Sequence, residues 1–230
     1  GCGGGGTTIA IANAVAPGGE VLGIDISPDL TAASTKRASD AGVGNIRFIC
    51  ADASNVQLPD APFDRLFSRF GSMFFAEPHQ AFANLRSLLR PGARIDLAVW
   101  APPRDNLWMM EMMGVVRRHV DIPPAVPRAP GPFAFEDLEY LNEVLAAGGF
   151  SSPDIMAYTG QQPVGGVGAT AQEAVSFVLS SMAVGKALDE QGTDVRAAAE
   201  GELLELFAKH HVPNQGVMMQ GKAWLVSAKA

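Results

Sequence analysis

Apolar residues in the N-terminal part of the chain follow two alternating patterns, one typical of buried strands and one typical of helices. Short apolar runs predict strands at 20–27, 46–50, 63–70 and 94–100. Helical spacing predicts helices at 7–16, 28–40 and 78–89, the last of which should stop at Pro91-Gly92. Because strands alternate with helices, we expect a parallel sheet covered by helices on both faces.

The C-terminal part of the chain has a more helical pattern, beginning after Pro102-Pro103. It predicts helices at 106–120, around 138–147, at 170–190 and at 194–210, with strands at 153–158 and 223–226 and a proline-rich loop at 122–132. Thr170 and Glu173 form a capping-box pattern at one of the predicted helix starts. We expect one domain over residues 1–230, with a lid insertion at 103–135 and a helical insertion at 165–212 before the last strand.

A glycine run, Gly1-Cys2-Gly3-Gly4-Gly5-Gly6, precedes the first predicted helix. Glycine carries no Cβ, so the backbone can approach a ligand closely, and the amides that follow belong to a helix N-terminus. The next predicted strand ends at Asp25, which lies 20 residues beyond Gly5. This order of glycine turn, helix, strand and acid is typical of nucleoside-binding sites, in which the carboxylate accepts hydrogen bonds from ribose hydroxyls.

The strand that usually precedes such a glycine turn does not appear in the sequence. We expect an apolar strand ending near an acid to lie before Gly1, at the centre of the sheet. Without it, two neighbouring strands would leave backbone donors and acceptors unpaired in the interior, which is energetically costly.

Composition and charge exclude several functions. The chain has a net charge of −7 and no cluster of basic residues, which argues against a nucleic-acid partner. No apolar run approaches the roughly 18 residues of a membrane-spanning helix. The two cysteines, Cys2 and Cys50, make no disulfide framework, indicating a reducing compartment, the cytoplasm. Neither has a partner at metal-ligand spacing, so no metal site is expected.

Six segments in a fixed order extend the nucleotide-site pattern over residues 1–150. They are GCGGG, VLGIDIS, CADA, FDRLFSRFG, LLRPG and AGGF. As a set they resemble the class I S-adenosylmethionine-dependent methyltransferases, and within them the small-molecule branch that includes the ubiquinone and menaquinone C-methyltransferases. The resemblance implies a Rossmann-like, doubly wound α/β fold with seven strands, an antiparallel last strand at one edge, and the cofactor at the carboxyl ends of the strands.

The resemblance also implies a role for individual residues. The glycine turn would surround the methionine part of S-adenosylmethionine. Its residues are Gly1, Cys2, Gly3 and Gly5. Asp25 would bind the ribose hydroxyls, and Ile26 would pack on the adenine. The remaining positions would read the adenine edge or line the cofactor from the end of the fourth strand of the family; they are Asp52, Ala53, Ser68, Arg69 and Phe70.

The acceptor side is less well defined by the sequence. Trp108, Met112 and His119 share one face of the predicted helix 106–120, and the methionines around them suit an adaptable apolar pocket. We therefore expect a small, fairly apolar acceptor. His119 is the candidate general base, although a base is needed only if the acceptor must lose a proton. The oligomeric state is left open.

Two other functions are compatible with the same pattern. A nicotinamide-dependent dehydrogenase shares the glycine turn and Asp25, although Asp52 and the Ser68-Arg69-Phe70 segment favour the methyltransferase. A non-catalytic protein that binds a nucleoside cofactor is the second alternative, since no obvious catalytic base is present.

Overall fold

The computed structural model describes residues 1–230 and contains seven strands and eight α-helices. The strands are β1 (Val21–Asp25), β2 (Ile46–Cys50), β3 (Phe63–Arg69), β4 (Leu89–Trp100), β5 (Asp154–Val164), β6 (His211–Val212) and β7 (Gly216–Lys229). The helices are α1 (Gly6–Val15), α2 (Pro28–Asp40), α3 (Pro78–Ser87), α4 (Leu107–Val116), α5 (Leu138–Ala147), α6 (Ala171–Ser181), α7 (Ala183–Asp189) and α8 (Thr193–Lys209). The N-terminal elements therefore alternate as the sequence predicts.

The chain divides into two compact units. Unit 1 contains Gly1–Trp100, Pro127–Ala157 and Trp224–Ala230, and unit 2 contains Ala101–Val126 and Tyr158–Ala223. The predicted insertion 165–212 lies wholly within unit 2. The predicted lid interval 103–135 is shared, with 103–126 in unit 2 and 127–135 in unit 1.

The strands form two sheets rather than one. β1 and β2 form a parallel pair with Asp25 opposite Cys50, and the second sheet has the order β3-β4-β7-β5 with β6 beside β7. β3 and β4 are parallel. Ala93 of β4 pairs with Ala230, whereas Ala101, just after β4, pairs with Lys222 of β7. Because the partner's number falls as β4 advances, β7 runs antiparallel to β4. The fold is thus an α/β fold with a mixed five-stranded sheet.

The position predicted for the last strand at one edge is wrong, although its antiparallel direction is as expected. β7 lies between β4 and β5, and β5 takes the edge position. The sequence pattern of β7 is consistent with this interior place, because its residues alternate between buried and half-buried over most of its length. A predicted strand of four residues, 223–226, therefore underestimated an element that pairs on both sides.

Local sequence signals account for several element boundaries. Ser27 caps α2, its side chain accepting from the Leu30 amide, and Pro28 occupies the first helical turn. Thr170 and Glu173 form the predicted capping box at α6. Pro91-Gly92 does not stop a helix at a loop as predicted, because it lies inside β4. The register between β3 and β4 shifts there, and the Gly92 amide donates to the Ala230 carbonyl.

One core of unit 1 packs the five-stranded sheet against α3 and α5. Phe82, which is fully buried, makes edge-to-face contacts with the rings of Phe75, Phe135 and Phe150. Phe135 is 1% exposed, so the end of the predicted lid interval is part of this core. The core thus fixes residues 133–135 to unit 1.

The helix predicted over 170–190 is two helices in the structure, α6 and α7. The chain turns at Met182, which has an extended backbone with φ −119° and ψ 151°. Gly185 then passes so close to α6 that a Cβ there would lie 1.7 Å from the Leu179 carbonyl oxygen. The turn between the two helices therefore requires glycine at position 185.

Candidate functional site

The glycine turn before α1 depends on its glycines in two ways. Gly3 and Gly5 have left-handed backbones, with φ of 54° and 78°, which side chains other than glycine adopt only with strain. A Cβ at Gly5 would also lie 2.9 Å from the Cβ of Ser34. The Gly5 amide closes the turn by donating to the Cys2 carbonyl at 3.1 Å. The run is therefore a folded turn and not a linker.

Asp25, at the end of β1, is tied directly to this turn. Its carboxylate is 7% exposed; Oδ2 accepts from the Gly3 amide at 2.7 Å, and Oδ1 accepts from the Ser27 amide at 3.1 Å. A carboxylate has about four acceptor positions, so two remain for a ligand. The next residue, Ile26, is 69% exposed, which leaves an apolar surface beside the acid.

Two residues of α2 that were not predicted from the sequence hold the other side of the turn. Ser34 Oγ donates to the Gly3 carbonyl at 2.7 Å, and Arg37 donates to the Gly4 carbonyl at 2.5 Å. Ser34 is fully buried. Their helical spacing of three residues puts both on the face of α2 that meets the turn, but the sequence around them does not indicate that contact.

Asp52 lies close to Asp25 because β1 and β2 end together. The Ala51 amide donates to the backbone carbonyl of Asp25 at 2.9 Å. Asp52 Oδ1 accepts from the Ser54 amide at 2.8 Å, and this hydrogen bond holds the pKa of Asp52 below its usual range. Asp52 is therefore an anion at neutral pH. The Ala53 carbonyl accepts from the Asn84 side chain at 3.1 Å.

The segment that ends β3 also contacts the glycine turn, through Gly71. Ser68 Oγ accepts from the Ser72 amide at 3.2 Å, whereas Arg69 is exposed. Phe70 has a left-handed backbone with φ 60° and stacks on Trp100. Gly71 follows it and contacts Gly1, since a Cβ at Gly71 would lie 3.0 Å from the Gly1 carbonyl oxygen.

Unit 1 therefore brings together the glycine turn and the ends of β1, β2 and β3. The predicted residues in this cluster are Gly1, Cys2, Gly3, Gly5, Asp25, Ile26, Asp52, Ala53, Ser68, Arg69 and Phe70. Gly71 and Trp100 join them without having been predicted. The Cys2 thiol is half-buried, and its burial raises its pKa, so it stays protonated at neutral pH.

The predicted acceptor-side residues lie in unit 2. Met112 is 1% exposed, and the Trp108 indole donates to the Asn106 side chain at 3.2 Å. His119 Nε2 lies 3.2 Å from Glu202 Oε1, an ion-pair distance without hydrogen-bond geometry. The prediction of a shared helix face is wrong for His119, because α4 ends at Val116 and His119 lies in the turn that follows it.

A cavity of about 600 Å³ lies between α4 and α8 in unit 2. Its lining carries both signs of charge; the charged residues are Glu111, Arg118, Glu202, Glu205 and Lys209. The Arg118 guanidinium donates to the Glu202 carboxylate, which holds the pKa of Glu202 below its usual range. No group of His, Cys, Asp and Glu in the structure has the arrangement of a metal site.

Comparison with known proteins finds a family match in the N-terminal part of the chain. Residues 1–92 match the methyltransferase domain family. This match covers the glycine turn, Asp25, Asp52 and the end of β3, which are the residues gathered in the unit 1 cluster. The resemblance of this part of the chain to methyltransferases is thereby confirmed.

Two curated relatives are similar over part of the chain. The demethylmenaquinone methyltransferase of Thermus thermophilus is 29% identical over 151 residues, covering 59% of this chain and 66% of the relative. The ubiquinone/menaquinone biosynthesis C-methyltransferase of Stutzerimonas stutzeri is 33% identical over 95 residues, covering 41% of this chain and 37% of the relative. The chain thus spans just under two thirds of one relative and little more than a third of the other.

A solved structure supports the fold over the whole chain. The YcgJ protein of Bacillus subtilis has a TM-score of 0.61 at 17% identity, covering 100% of this chain and 88% of that one. At this identity the similarity establishes the α/β methyltransferase fold and nothing finer. None of the eight helices is both long enough and apolar enough to cross a membrane.

Proposed function

We propose that the protein transfers the methyl group of S-adenosylmethionine to a small, fairly apolar acceptor. The observation that carries this proposal is the buried Asp25 carboxylate, which orders the glycine turn through Gly3 while keeping acceptor positions for ribose hydroxyls. The family match over residues 1–92 adds independent support, because it falls on the same residues.

The residues present fit this cofactor. Asp25 would accept from the ribose, the exposed Ile26 would cover one adenine face, and the anionic Asp52 would accept from the exocyclic amine. The glycine turn leaves space where a Cβ would otherwise stand, as at Gly3, where nothing lies within 4 Å. When bound, the cofactor supplies an electrophilic methyl group on a sulfonium.

The chain's own contribution to the reaction is mainly positioning. Methyl transfer needs an in-line approach of the acceptor at close range, and orientation alone can provide much of the acceleration. His119 would act as a base only for an acceptor that loses a proton.

We also propose the finer features of the fold. Residues 103–126 would act as a lid over the acceptor, with Trp108 and Met112 as its apolar face. An extended strand between β1 and β3, each of which pairs with only one neighbouring strand, would join the two sheets, and the joined sheet would have seven strands besides the two-residue β6.

Calorimetry and a transfer assay test the function. S-adenosylhomocysteine should bind the wild-type protein, whereas reduced nicotinamide dinucleotide should not. Labelled S-adenosylmethionine should then methylate at least one member of a panel of phenols, quinols and carboxylates. Binding without turnover on any panel member would favour the non-catalytic alternative, and nicotinamide binding would favour the dehydrogenase.

A further inference from the structure

Phe70 has an unusual backbone for its residue type. Its φ of 60° lies in the left-handed region, which a bulky residue occupies only when its surroundings enforce it. We propose that Trp100 is the residue that enforces this conformation, and that it thereby positions the part of the site that receives the methionine half of S-adenosylmethionine. This inference rests on the proposed function.

Trp100 holds Phe70 through a close ring contact. The two rings stack with centroids 4.0 Å apart and planes 7° from parallel. Trp100 ends β4, and the Phe70 amide donates to the Ala98 carbonyl of the same strand at 2.9 Å. The Trp100 amide also donates to the Met73 sulfur at 3.4 Å. The turn that follows β3 is therefore fixed on β4 at both of its ends.

The conformation of Phe70 determines where Gly71 lies. Gly71 packs on the backbone of Gly1 so closely that a Cβ at either residue would be within 3.3 Å of the other's backbone. The left-handed turn at Phe70 thus closes the glycine turn at Gly1, where an added Cβ would meet Gly71 Cα at 3.3 Å and Asp25 Oδ2 at 3.8 Å. If Phe70 relaxed to an ordinary backbone, Gly71 would move and this wall of the site would open.

The order of the strand ends assigns this wall to the methionine half of the cofactor. Asp52 follows β2, Asp25 ends the adjacent β1, and Gly1 and Gly71 come next towards β3. Adenine and ribose would occupy the first two positions, which leaves the third for the methionine portion. Ser72 Oγ lies in the same turn, is 2% exposed, and has no hydrogen-bond partner within the chain. A polar group of a ligand would satisfy that hydroxyl.

The test compares two ligands that differ only in the methionine half. S-adenosylhomocysteine and adenosine are titrated by calorimetry into wild-type protein, Trp100→Leu and Trp100→Phe. We expect Trp100→Leu to weaken S-adenosylhomocysteine about three- to tenfold and to leave adenosine unchanged, because the stacking contact that holds Phe70 is lost. Trp100→Phe keeps an aromatic ring and should restore most of the affinity.

A second variant tests the backbone without touching Trp100. Glycine adopts φ near 60° without strain, so in Phe70→Gly the backbone at residue 70 no longer needs a ring contact to hold it, whatever the variant's own effect on S-adenosylhomocysteine affinity. In the Phe70→Gly background, Trp100→Leu should then have no further effect. Phe75→Leu is the matched control, since it removes a different aromatic contact of the same core, the edge-to-face pair with Phe82.

The outcomes separate this inference from the proposed function. If the wild-type protein binds neither ligand, the proposed function itself fails. If it binds both and Trp100→Leu weakens them equally, Trp100 has only a general structural role and the inference is wrong. A loss from Trp100→Leu in the Phe70→Gly background as large as in the wild type would likewise overturn it, because Trp100 would then act independently of the backbone at residue 70.

Discussion

The Gly3 amide donates a hydrogen bond of 2.7 Å to Asp25 Oδ2, so the residue proposed to bind ribose also orders the glycine turn. Asp25→Ala should therefore weaken S-adenosylhomocysteine through two losses, the ribose contact and the ordered turn. We expect a cost of about 1.5–3 kcal/mol, the range for hydrogen bonds to a charged group. Calorimetry measures it, with Asp29→Ala, an exposed acid of α2, as the control. An unchanged affinity would remove Asp25 from the site.

Asp52 should select adenine through its charge. Asp52→Asn retains one acceptor but loses the anion that the Ser54 amide stabilises, so S-adenosylhomocysteine should bind about tenfold more weakly while the unfolding curve is preserved. The inosine analogue of the cofactor, which lacks the exocyclic amine, should bind the wild-type protein poorly. Equal binding of the two nucleosides would contradict this role.

If the proposed lid exists, the rate of amide hydrogen exchange should differ between the two parts of residues 103–135. Amides of 107–126 should exchange hydrogen faster than the β4 amides and slow down when cofactor and acceptor are bound. Residues 133–135 should exchange slowly in all states, because Phe135 belongs to the unit 1 core. Hydrogen-exchange mass spectrometry resolves the two segments.

A side-chain variant complements this measurement. Trp108→Ala should weaken the acceptor more than the cofactor, as judged from their separate Michaelis constants. If the 107–126 amides are equally protected with and without ligands and Trp108→Ala leaves the acceptor constant unaltered, the segment is ordinary core.

Asp96 should make the free energy of unfolding depend on pH under acidic conditions. It accepts from Arg65 and Arg94, both at 2.7 Å; burial opposes its ionisation, but these two cations prevail and lower its pKa. A carboxyl group with a lowered folded-state pKa stabilises the fold above its unfolded value, near 4, and loses that contribution as pH falls through the folded value. Asp96→Asn should cost about 1 kcal/mol at pH 7.

The difference between wild type and Asp96→Asn should shrink steadily below about pH 4. Urea unfolding at several pH values measures it. A constant difference across that range would show that the loss comes from packing and not from charge.

Because β1 and β3 each pair with only one neighbouring strand, a segment added before Gly1 should change the free energy of unfolding. The Cys2 amide donates to the Ile24 carbonyl at 2.8 Å, so strand pairing with β1 has already begun at Cys2. An apolar extended segment of about six residues fused before Gly1 could continue this pairing and should raise the free energy of unfolding by at least about 2 kcal/mol. A glycine-serine segment of equal length is the control. Equal stability of the two fusions would exclude a strand at this position.

The sequence predicted most residues of the unit 1 cluster because each part of the cluster has a local signal. Left-handed turns require glycine, a buried strand is an apolar run, and Asp25 follows that run directly. The same logic located Asp52 at the end of β2. Ser34, Arg37 and Trp100 were missed because their roles come from contacts between distant segments, and nothing in their immediate sequence indicates those partners.

The fold was predicted less completely in the C-terminal part. The pairing order β4-β7-β5 depends on which edges remain available after the first strands have formed, which hydrophobic periodicity does not encode. The helix break at Met182 escaped prediction because Gly185 lies within an otherwise continuous helical pattern, and its close approach to Leu179 is a tertiary contact.

The hydrogen bonds around the buried Asn106 require an amide side chain that both donates and accepts. It is fully buried; its amide nitrogen donates to the Ala101 and Pro102 carbonyls, and its oxygen accepts from Trp108 and the Lys222 amide. Aspartate has nearly the same shape but no hydrogens to donate, so two attractive contacts with carbonyl oxygens would become repulsive. Conversion of Asn106 to aspartate would therefore destabilise unit 2 from within.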